Sequence, residues 1–477
     1  MHRQTLSQDA LPAWAQAHHV EFNGISVDAI PSKGTGLVVT ASVAEKAPLM
    51  LVPKDLILSL EQVWIHAKAD RHLREVLEAM GDYARSSRGA ILIFLILQTT
   101  HNAVSGEDQP GKVGLRNAFT SYVQLLPSQF PIPTFWNAYE QSWLTGTSLA
   151  AALDAKLQSL DREFSSLRAA TSMIPWCQRT WWHPETGNLT FDDWKMVDAM
   201  YRSRALDLPG TGHSMVPCID FANHASGDAT IALYETDTDG NAVLLLRDGQ
   251  ELTPGLEITI TYGDEKGACE MLFSYGFLEE SMAFANELYL DLDIPHDDPL
   301  KIAKKHVSKA APGFRLFKGD KTVGWEGPFV WLLCVNEEDG LEFKITRSND
   351  GERELKVFWN ESELIDVGEL ESLLQRDPRS DIFQLRAAVV LRDRIAQQLS
   401  ALQTNQIEET KVPFATEESA QRFQAATTLR LLEETLLLEA HEMFVQKINS
   451  KLSISVVQRY LSAASQDDEP QPIDDFS

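Results

Sequence analysis

Three short segments carry the polar and aromatic side chains best suited to chemistry. They occupy residues 33–36 (KGTG), 215–224 (MVPCIDFANH) and 260–264 (ITYGD), and the third is followed by residues 275–277 (YGF). The amide of Asn223, the imidazole of His224 and the phenol of Tyr262 can each donate and accept hydrogen bonds. A free tyrosine has a pKa of ~10, so the Tyr262 hydroxyl can orient reacting groups while it stays neutral.

Each segment taken singly also has a purely structural explanation. Gly34 and Gly36 can serve a turn alone, and without a following helix they do not form a phosphate-binding loop. Asn223 and His224 can form a turn whose side chains satisfy nearby backbone groups, and a lone histidine in such a place is more often structural than catalytic. A tyrosine at a strand end, such as Tyr262, is commonly a half-buried packing residue.

The elements that must position these segments alternate between strands and helices. Residues 22–53 alternate short apolar stretches with Gly, Pro and Ser, which predicts small strands and turns. From about residue 56 to 204 the apolar spacing becomes helical, with Ser59 and Gln62 at capping-box spacing. The last of these helices begins after Thr190, and its end delivers Ser203 and Arg204.

Strands return after this helical stretch. Residues 229–235 and 242–247 flank Asp-Gly-Asn, which predicts a hairpin, and residues 256–261 alternate with period two. Beyond about residue 294 the apolar spacing is again helical, apart from residues 341–359, which look irregular or β-like. The predicted fold class is therefore α+β: a β-rich core with a helical insertion, followed by a mainly α-helical carboxy-terminal domain.

Length and charge limit the classes of partner. A chain of 477 residues predicts about two or three structural units. The 69 Asp and Glu against 42 Lys and Arg give a net charge of −27, which attracts basic proteins and repels phosphate backbones and anionic lipid. We therefore expect a basic protein as partner, with neither nucleic acid nor membrane, unless the acidity serves solubility alone.

The cysteines and the amino-terminal residues indicate in which cellular compartment the protein resides. The four cysteines are dispersed, so the sequence predicts neither a disulfide framework nor a metal site. The first residues lack the apolar core of a signal peptide, and the longest apolar run, residues 90–97, is far shorter than the ~20 residues of a membrane span. We expect a soluble monomer that is cytoplasmic, nuclear or both.

Order and spacing together make the segments more informative. A Gly-rich first strand, an Asn-His pair after a VPxxD strand, and a Tyr-Gly whose tyrosine precedes the phenylalanine of Tyr-Gly-Phe by 15 residues resemble the SET-domain protein methyltransferases. The long helical insertion, the Ser-Arg at its end and the helical carboxy-terminal half resemble the subgroup typified by the Rubisco large-subunit methyltransferase and its fungal ribosomal-protein relatives. This resemblance implies S-adenosylmethionine as cofactor.

The resemblance also implies roles for single residues. The cofactor would lie against the backbone of Gly34, Thr35 and Gly36, with Arg204 near its carboxylate. Asn223 and His224 would hold it by main-chain and side-chain hydrogen bonds. Asp220 would support its pocket, and Phe277 would pack on its adenine. Tyr262 falls at the catalytic tyrosine, and Tyr275 would line the lysine channel.

Two positions depart from the family pattern, and the implied domains follow from the same resemblance. The acidic residue often found before the first Gly is here Lys33, and Leu208 replaces an arginine of some members. The implied division is a SET domain over residues 22–280, with its core at 22–53 and 202–280 and its helical insertion at about 54–201. A helical substrate-binding domain over 294–462 and an acidic disordered tail over 463–477 follow.

Methyl transfer from a sulfonium is an in-line displacement, so the protein mainly supplies alignment and a dry channel. The first hypothesis is methylation of a lysine in a non-histone protein such as a ribosomal protein. A histidine methyltransferase is the alternative enzyme, and a non-catalytic SET-fold adaptor is the alternative from another class. The resemblance implies that the helical carboxy-terminal region is the docking surface, and its many glutamates, which include Glu408, Glu409, Glu417 and Glu418, agree with this.

Overall fold

The computed structural model describes the whole chain except a small number of short segments. These are residues 2, 32, 44–46, 104–112, 186, 265, 309–310, 320–321, 348–352, 406–415 and 468–477. Two compact units are formed. The first comprises Met1–Phe135, Leu153–Lys266 and Phe273–Gly276, and the second comprises Trp136–Ala152, Gly267–Leu272 and Phe277–Ser477.

Helices and strands alternate in long blocks, as the apolar spacing predicts. The helices are α1 (Leu11–Ala17), α2 (Leu60–Ala69), α3 (Arg71–Met80), α4 (Ser87–His101), α5 (Ala118–Leu125), α6 (Ala138–Ser142), α7 (Ser148–Thr171), α8 (Pro175–Cys177), α9 (Phe191–Arg202), α10 (Ala268–Tyr275), α11 (Lys301–Val307), α12 (Pro328–Leu333), α13 (Leu370–Arg376), α14 (Ser380–Thr404), α15 (Glu417–Leu452) and α16 (Ser455–Asp467). The strands are β1 (Glu21–Phe22), β2 (Ile25–Ile30), β3 (Gly34–Val39), β4 (Met50–Val52), β5 (Ala205–Leu208), β6 (Gly212–Met215), β7 (Asn223–His224), β8 (Ala232–Thr236), β9 (Ala242–Leu246), β10 (Glu257–Ile260), β11 (Glu287–Asp291), β12 (Gly313–Lys318), β13 (Val323–Glu326), β14 (Leu341–Arg347), β15 (Arg353–Trp359) and β16 (Ser362–Leu364).

The first unit is built on small sheets. One has the strand order β1-β4-β9-β8, another β2-β3-β10-β7, and β5 pairs with β6. The predicted hairpin is confirmed as β8 and β9, with Gly240 at φ +85°, a left-handed backbone that glycine adopts without a Cβ clash. Strand β10 pairs antiparallel with β3 and parallel with β7, which brings the two ends of the core together in one sheet.

The helical insertion packs around α4. Its residues 90–97 are fully buried, which explains why this segment is apolar on every side. Helix α9 begins with the predicted capping box, in which Thr190 and Asp193 satisfy each other's backbone N–H groups. Buried Asp198 on α9 accepts hydrogen bonds from Arg88 at 2.7 Å and from Lys156 at 2.8 Å, which fixes the helix that ends just before Arg204.

The second unit contains helices together with two antiparallel sheets of three strands each, β11-β12-β13 and β14-β15-β16. The stretch 341–359, which looked irregular or β-like, contains strands β14 and β15, and α14 and α15 pack along each other. The chain first enters this unit at Trp136, so part of the predicted insertion groups with it. Within the unit, Arg422 donates to Glu140 at 2.8 Å, which ties that part to α15.

Most of the predicted disordered tail and part of the predicted docking surface fall outside the described residues. Helix α16 continues to Asp467, beyond residue 463, where the sequence predicted that a disordered tail begins. The segment contains no proline before residue 470, so nothing local ends the helix earlier. Residues 468–477, and with them the rest of the predicted tail, lie outside the described residues, as do Glu408 and Glu409. Within the described ranges, none of the helices combines the length and apolar character that a bilayer crossing requires.

Candidate active site

The pairing of β7 with β10 brings two of the predicted segments together. Asn223 lies beside Thr259 and His224 beside Ile260, and Tyr262 follows two residues beyond the end of β10. The backbone N–H of Tyr262 donates to Nδ1 of His224 at 3.0 Å. The parallel pairing therefore sets the distance between the Asn-His pair and the tyrosine, which sequence separation alone does not give.

Tyr262 is held by two ring contacts and at its hydroxyl. Its ring stacks on His224 with centroids 5.1 Å apart and contacts Tyr275 with centroids 4.6 Å apart. The hydroxyl donates to the carbonyl oxygen of Ala222 at 2.8 Å. Burial raises the pKa of Tyr262 to about 12. The phenol consequently stays protonated through the neutral range and can donate a hydrogen bond there.

A cavity of about 170 Å³ opens in front of Tyr262. Its twelve lining residues comprise six polar or charged residues, three tyrosines and three aliphatic residues. The lining residues are Ser203, Arg204, Ala205, Leu206, Asp207, His213, Asp220, Tyr234, Ile260, Tyr262, Lys266 and Tyr275. Tyrosine rings beside polar groups suit a side chain that has an apolar stem and a polar end.

Arg204 and Asp220 form an ion pair at one side of this cavity. Nη1 of Arg204 donates to Oδ2 of Asp220 at 3.1 Å and to its backbone oxygen at 2.9 Å. Tyr122 of α5 donates to the same Oδ2 at 2.6 Å. Burial raises the pKa of Asp220, while the guanidinium of Arg204 opposes that shift. Two buried atoms of the pair, Arg204 Nε and Asp220 Oδ1, have no hydrogen-bond partner among the described residues.

The glycine-bearing hairpin, β2 and β3, meets the Asn-His pair from the other side. Gly34 has φ +80°, and a Cβ there would meet no described atom within 4 Å. A Cβ at Gly36 would lie 2.8 Å from Nδ2 of Asn223, so only glycine lets the amide pack this closely. Nδ2 of Asn223 donates to Oε1 of Glu257 at 2.8 Å.

The structure thus gathers most of the residues that the resemblance singled out. Arg204, Asp220, Tyr262 and Tyr275 line one cavity, His224 contacts Tyr262, and Gly36 contacts Asn223. Thr35 lies between the two glycines on β3, opposite Ala29. Phe277, predicted to pack on an adenine, belongs to the second unit, where its side chain is 37% exposed. Its predicted contact therefore stays a prediction.

Several residues of the site were not found by sequence reasoning. Tyr122 lies 98 residues before its partner Asp220, within an insertion that carries no recognisable motif. Glu257 is one charged residue in an alternating strand, and the hydrogen bond to Asn223 depends on the neighbouring strand. Lys266 approaches the ring of Tyr275, with Nζ 5.9 Å from the ring centroid. In the part of the chain that is described, no cluster of three His, Cys, Asp or Glu side chains suits a metal ion.

No family model matches the chain, but individual relatives do. SET domain-containing protein 8 of Schizosaccharomyces pombe is 30% identical over 348 residues, which are 72% of this chain and 74% of the relative. The human actin-histidine N-methyltransferase is 21% identical over 451 residues, which cover 90% of this chain and 67% of that enzyme. The chicken enzyme of the same name is 21% identical, and the match covers 70% of this chain and 53% of that enzyme.

Solved structures of other proteins have the same fold as this chain. The SET domain of LSMT bound to methyllysine and AdoHcy has a TM-score of 0.66 and 19% identity, covering 97% of each chain. Rubisco LSMT bound to AdoMet has a TM-score of 0.63 and 18% identity, covering 97% of this chain and 98% of that one. The identity to the fission yeast relative extends over most of both chains, and the fold agrees with it. The protein therefore belongs to the SET-domain family and has the fold of the Rubisco LSMT type.

Proposed function

We propose that the protein is a methyltransferase that takes its methyl group from S-adenosylmethionine and transfers it to a lysine side chain of a protein. The observation that carries the proposal is Tyr262. It is a partly buried phenol whose ring contacts His224 and Tyr275 and whose hydroxyl donates to the carbonyl oxygen of Ala222, and it lines the cavity. Membership of the SET-domain family and the AdoMet and AdoHcy bound to structures of the same fold support the choice of cofactor.

The residues present fit this cofactor. The side of Gly34 is open, so a ligand can approach the hairpin backbone closely. Arg204 Nε and Asp220 Oδ1 are buried and without partners among the described atoms, and a buried polar atom gains free energy from a ligand partner. Gly34, Asn223 and Arg204 would therefore hold the cofactor, together with His224 and the main chain of Thr35 and Gly36.

The cofactor supplies a methyl group that is bonded to a positively charged sulfur. The methyl group moves to the nitrogen in line, and the sulfur leaves as a neutral thioether. The protein's own part is alignment. Tyr262 stays protonated, because burial raises its pKa to about 12, and its fixed ring orients the reacting groups. The rings of Tyr234, Tyr262 and Tyr275 line the cavity, where they would contact the alkyl stem of a lysine. Exclusion of water lowers the pKa of the lysine from its usual ~10.4 and favours the neutral nucleophile.

A histidine is the second candidate target. The observation that favours it is the match to actin-histidine N-methyltransferases, which extends over 90% of this chain for the human enzyme. An imidazole has an ordinary pKa of ~6.5, so it needs no help to be neutral above that pH. The two candidates therefore differ in how far the cavity must lower the pKa of the target side chain to make it neutral.

The substrate that we propose is a basic protein such as a ribosomal protein. The net charge of −27 supports this, because it attracts cationic segments over distances of about a Debye length. The helical second unit, with Glu417 and Glu418 at the start of α15, is the proposed docking region. Residence in the cytoplasm or the nucleus is part of the same proposal, since both hold basic proteins.

Labelling of a cell extract tests the proposal. The purified chain is incubated with extract and S-adenosylmethionine that carries a labelled methyl group, and the labelled peptides are assigned by mass spectrometry. We expect label on lysine. Label on histidine supports the second candidate instead. A folded chain that labels nothing and shows no calorimetric binding of S-adenosylmethionine is a SET-fold adaptor, and the proposal is then wrong.

A further inference from the structure

Glu257 lies between two donors, one from the turn between β2 and β3 and one from β7. Its Oε2 accepts from Nζ of Lys33 at 2.8 Å, and its Oε1 accepts from Nδ2 of Asn223 at 2.8 Å. The side chain of Glu257 is 19% exposed and that of Lys33 is 50% exposed. The carboxylate thus uses one oxygen for each partner and links the hairpin turn to the Asn-His pair.

This arrangement fixes the direction of the Asn223 amide. An ionised carboxylate can only accept hydrogen bonds, so the NH₂ of the amide must face Glu257. The amide oxygen then faces away from Glu257. The hydrogen bond that the described structure gives this side chain runs through Nδ2, which leaves Oδ1 as an acceptor for another group.

Packing restricts the same amide on a second side. The position that a Cβ of Gly36 would take lies 2.8 Å from Nδ2 of Asn223 and 2.7 Å from Cγ1 of Ile30. The amide therefore lies directly on the Gly36 backbone and has no room to move toward the hairpin. Gly36 thus limits where the amide lies, and the hydrogen bond to Glu257 decides which of its two orientations the amide takes.

We propose that Glu257, anchored by Lys33, is a positioning residue that presents Oδ1 of Asn223 as the acceptor for the ammonium group of the cofactor. The inference rests on the proposed function. It also accounts for Lys33, which stands where the family pattern often has an acidic residue. In this chain the acidic group comes from β10, and Lys33 is its partner.

The substitution Glu257→Gln tests the direction of the amide. A glutamine offers one oxygen to the two donors, Lys33 and Asn223, whereas the glutamate offers two. The charged ammonium of Lys33 makes the stronger hydrogen bond, so the oxygen of the glutamine goes to Lys33 and its NH₂ faces Asn223. The Asn223 amide then turns its oxygen to that NH₂ and no longer offers it to a ligand.

Two further variants separate this effect from general damage. In Lys33→Met, Glu257 loses its anchor but still accepts from Asn223, so S-adenosylhomocysteine binding should fall less than in Glu257→Gln. In the double variant Lys33→Met/Glu257→Gln, the glutamine oxygen is free for Asn223, so binding returns. Should Glu257→Gln fail to fold, Lys33→Glu takes its place, because a second carboxylate at this half-exposed position repels Glu257 away from Asn223.

The ligands for calorimetry are S-adenosylhomocysteine, which carries the ammonium group, and 5′-methylthioadenosine, which lacks it. We expect Glu257→Gln to weaken S-adenosylhomocysteine binding about tenfold, the size expected for one hydrogen bond to a charged group, and to leave 5′-methylthioadenosine binding unchanged. The loss should persist between about 0.1 M and 1 M salt, because salt screens a change in charge but not a change in amide direction.

Three results overturn the inference. Equal binding of S-adenosylhomocysteine by the wild type and Glu257→Gln removes Glu257 from its positioning role, while the proposed function stands. An equal loss for both ligands assigns Glu257 to general stability of the pocket. A wild-type chain that binds neither ligand contradicts the proposed function itself, and the positioning role falls with it.

Discussion

The hydroxyl of Tyr122 donates a hydrogen bond of 2.6 Å to Oδ2 of Asp220, the same oxygen that accepts from Arg204. Tyr122 belongs to α5 and is fully buried, and burial raises its pKa well above the usual value for a tyrosine. It therefore stays a donor under all physiological conditions. The helical insertion thus supplies one of the groups that hold the Arg204–Asp220 ion pair beside the cavity.

Replacement of Tyr122 by Phe should weaken both folding and cofactor binding. Oδ1 of Asp220 already lacks a partner among the described residues, and the variant removes one of the donors to Oδ2. A buried carboxylate that loses a donor costs about 1–3 kcal/mol. Urea unfolding measures the stability, and calorimetry with S-adenosylmethionine measures the binding. Arg204→Ala is the reference and should reduce binding more. Wild-type values for Tyr122→Phe in both measurements would contradict this role.

Glu433 should make the stability of the protein depend on pH. Its side chain is fully buried in α15, where it accepts from the N–H of Ser148 at 2.9 Å and from its hydroxyl at 2.5 Å. Burial raises the pKa of Glu433 from the usual 4.5 to about 7. Between these two values the folded chain keeps a proton that the unfolded chain has lost. Stability should therefore fall as pH rises from about 4.5 to 7, by on the order of 3 kcal/mol.

Glu433→Gln is the matched control for this dependence, because a glutamine fills the same volume and has no charge to bury. Urea unfolding at about pH 5 and about pH 8 compares the two proteins. The wild type should be less stable at the higher pH, and the variant should lose most of that difference and be the more stable of the two there. The same pH dependence in both proteins would assign it to other groups.

Salt should slow the encounter with a basic substrate more than the methyl transfer. The chain carries a net charge of −27, and exposed charges more than about 10 Å apart are largely screened at 0.1 M salt. The value of kcat/KM for a full-length protein substrate should therefore fall as salt rises, while kcat at saturation changes little. A value of kcat/KM that does not change with salt would argue against electrostatic docking.

Local patterns predicted much of the fold. The capping box at Thr190 and the Asp-Gly-Asn turn before β9 depend on residues that are neighbours in sequence, and both are confirmed. The spacing of apolar residues predicted α14 and α15 for the same reason. Each of these elements follows from interactions within four or five residues of chain.

The parts that the sequence did not predict depend on distant residues. Tyr122 contacts Asp220 across 98 residues, and Glu257 contacts Asn223 across 34, so no local pattern marks either pair. The segment 136–152 looks like the rest of the helical insertion but groups with the second unit, because Glu433 binds Ser148 there. Such pairs become visible only when the strands and helices are packed.

The most direct test of the account is methyl transfer by the wild type and by Tyr262→Phe, measured side by side. Labelled S-adenosylmethionine and cell extract are the substrates, and circular dichroism confirms that both proteins are folded. A phenyl ring keeps the contacts to His224 and Tyr275 but lacks the hydroxyl that Ala222 holds. The account predicts transfer by the wild type and a loss of roughly 10²-fold or more in Tyr262→Phe. Equal transfer by the two proteins, or none by the folded wild type, would contradict it.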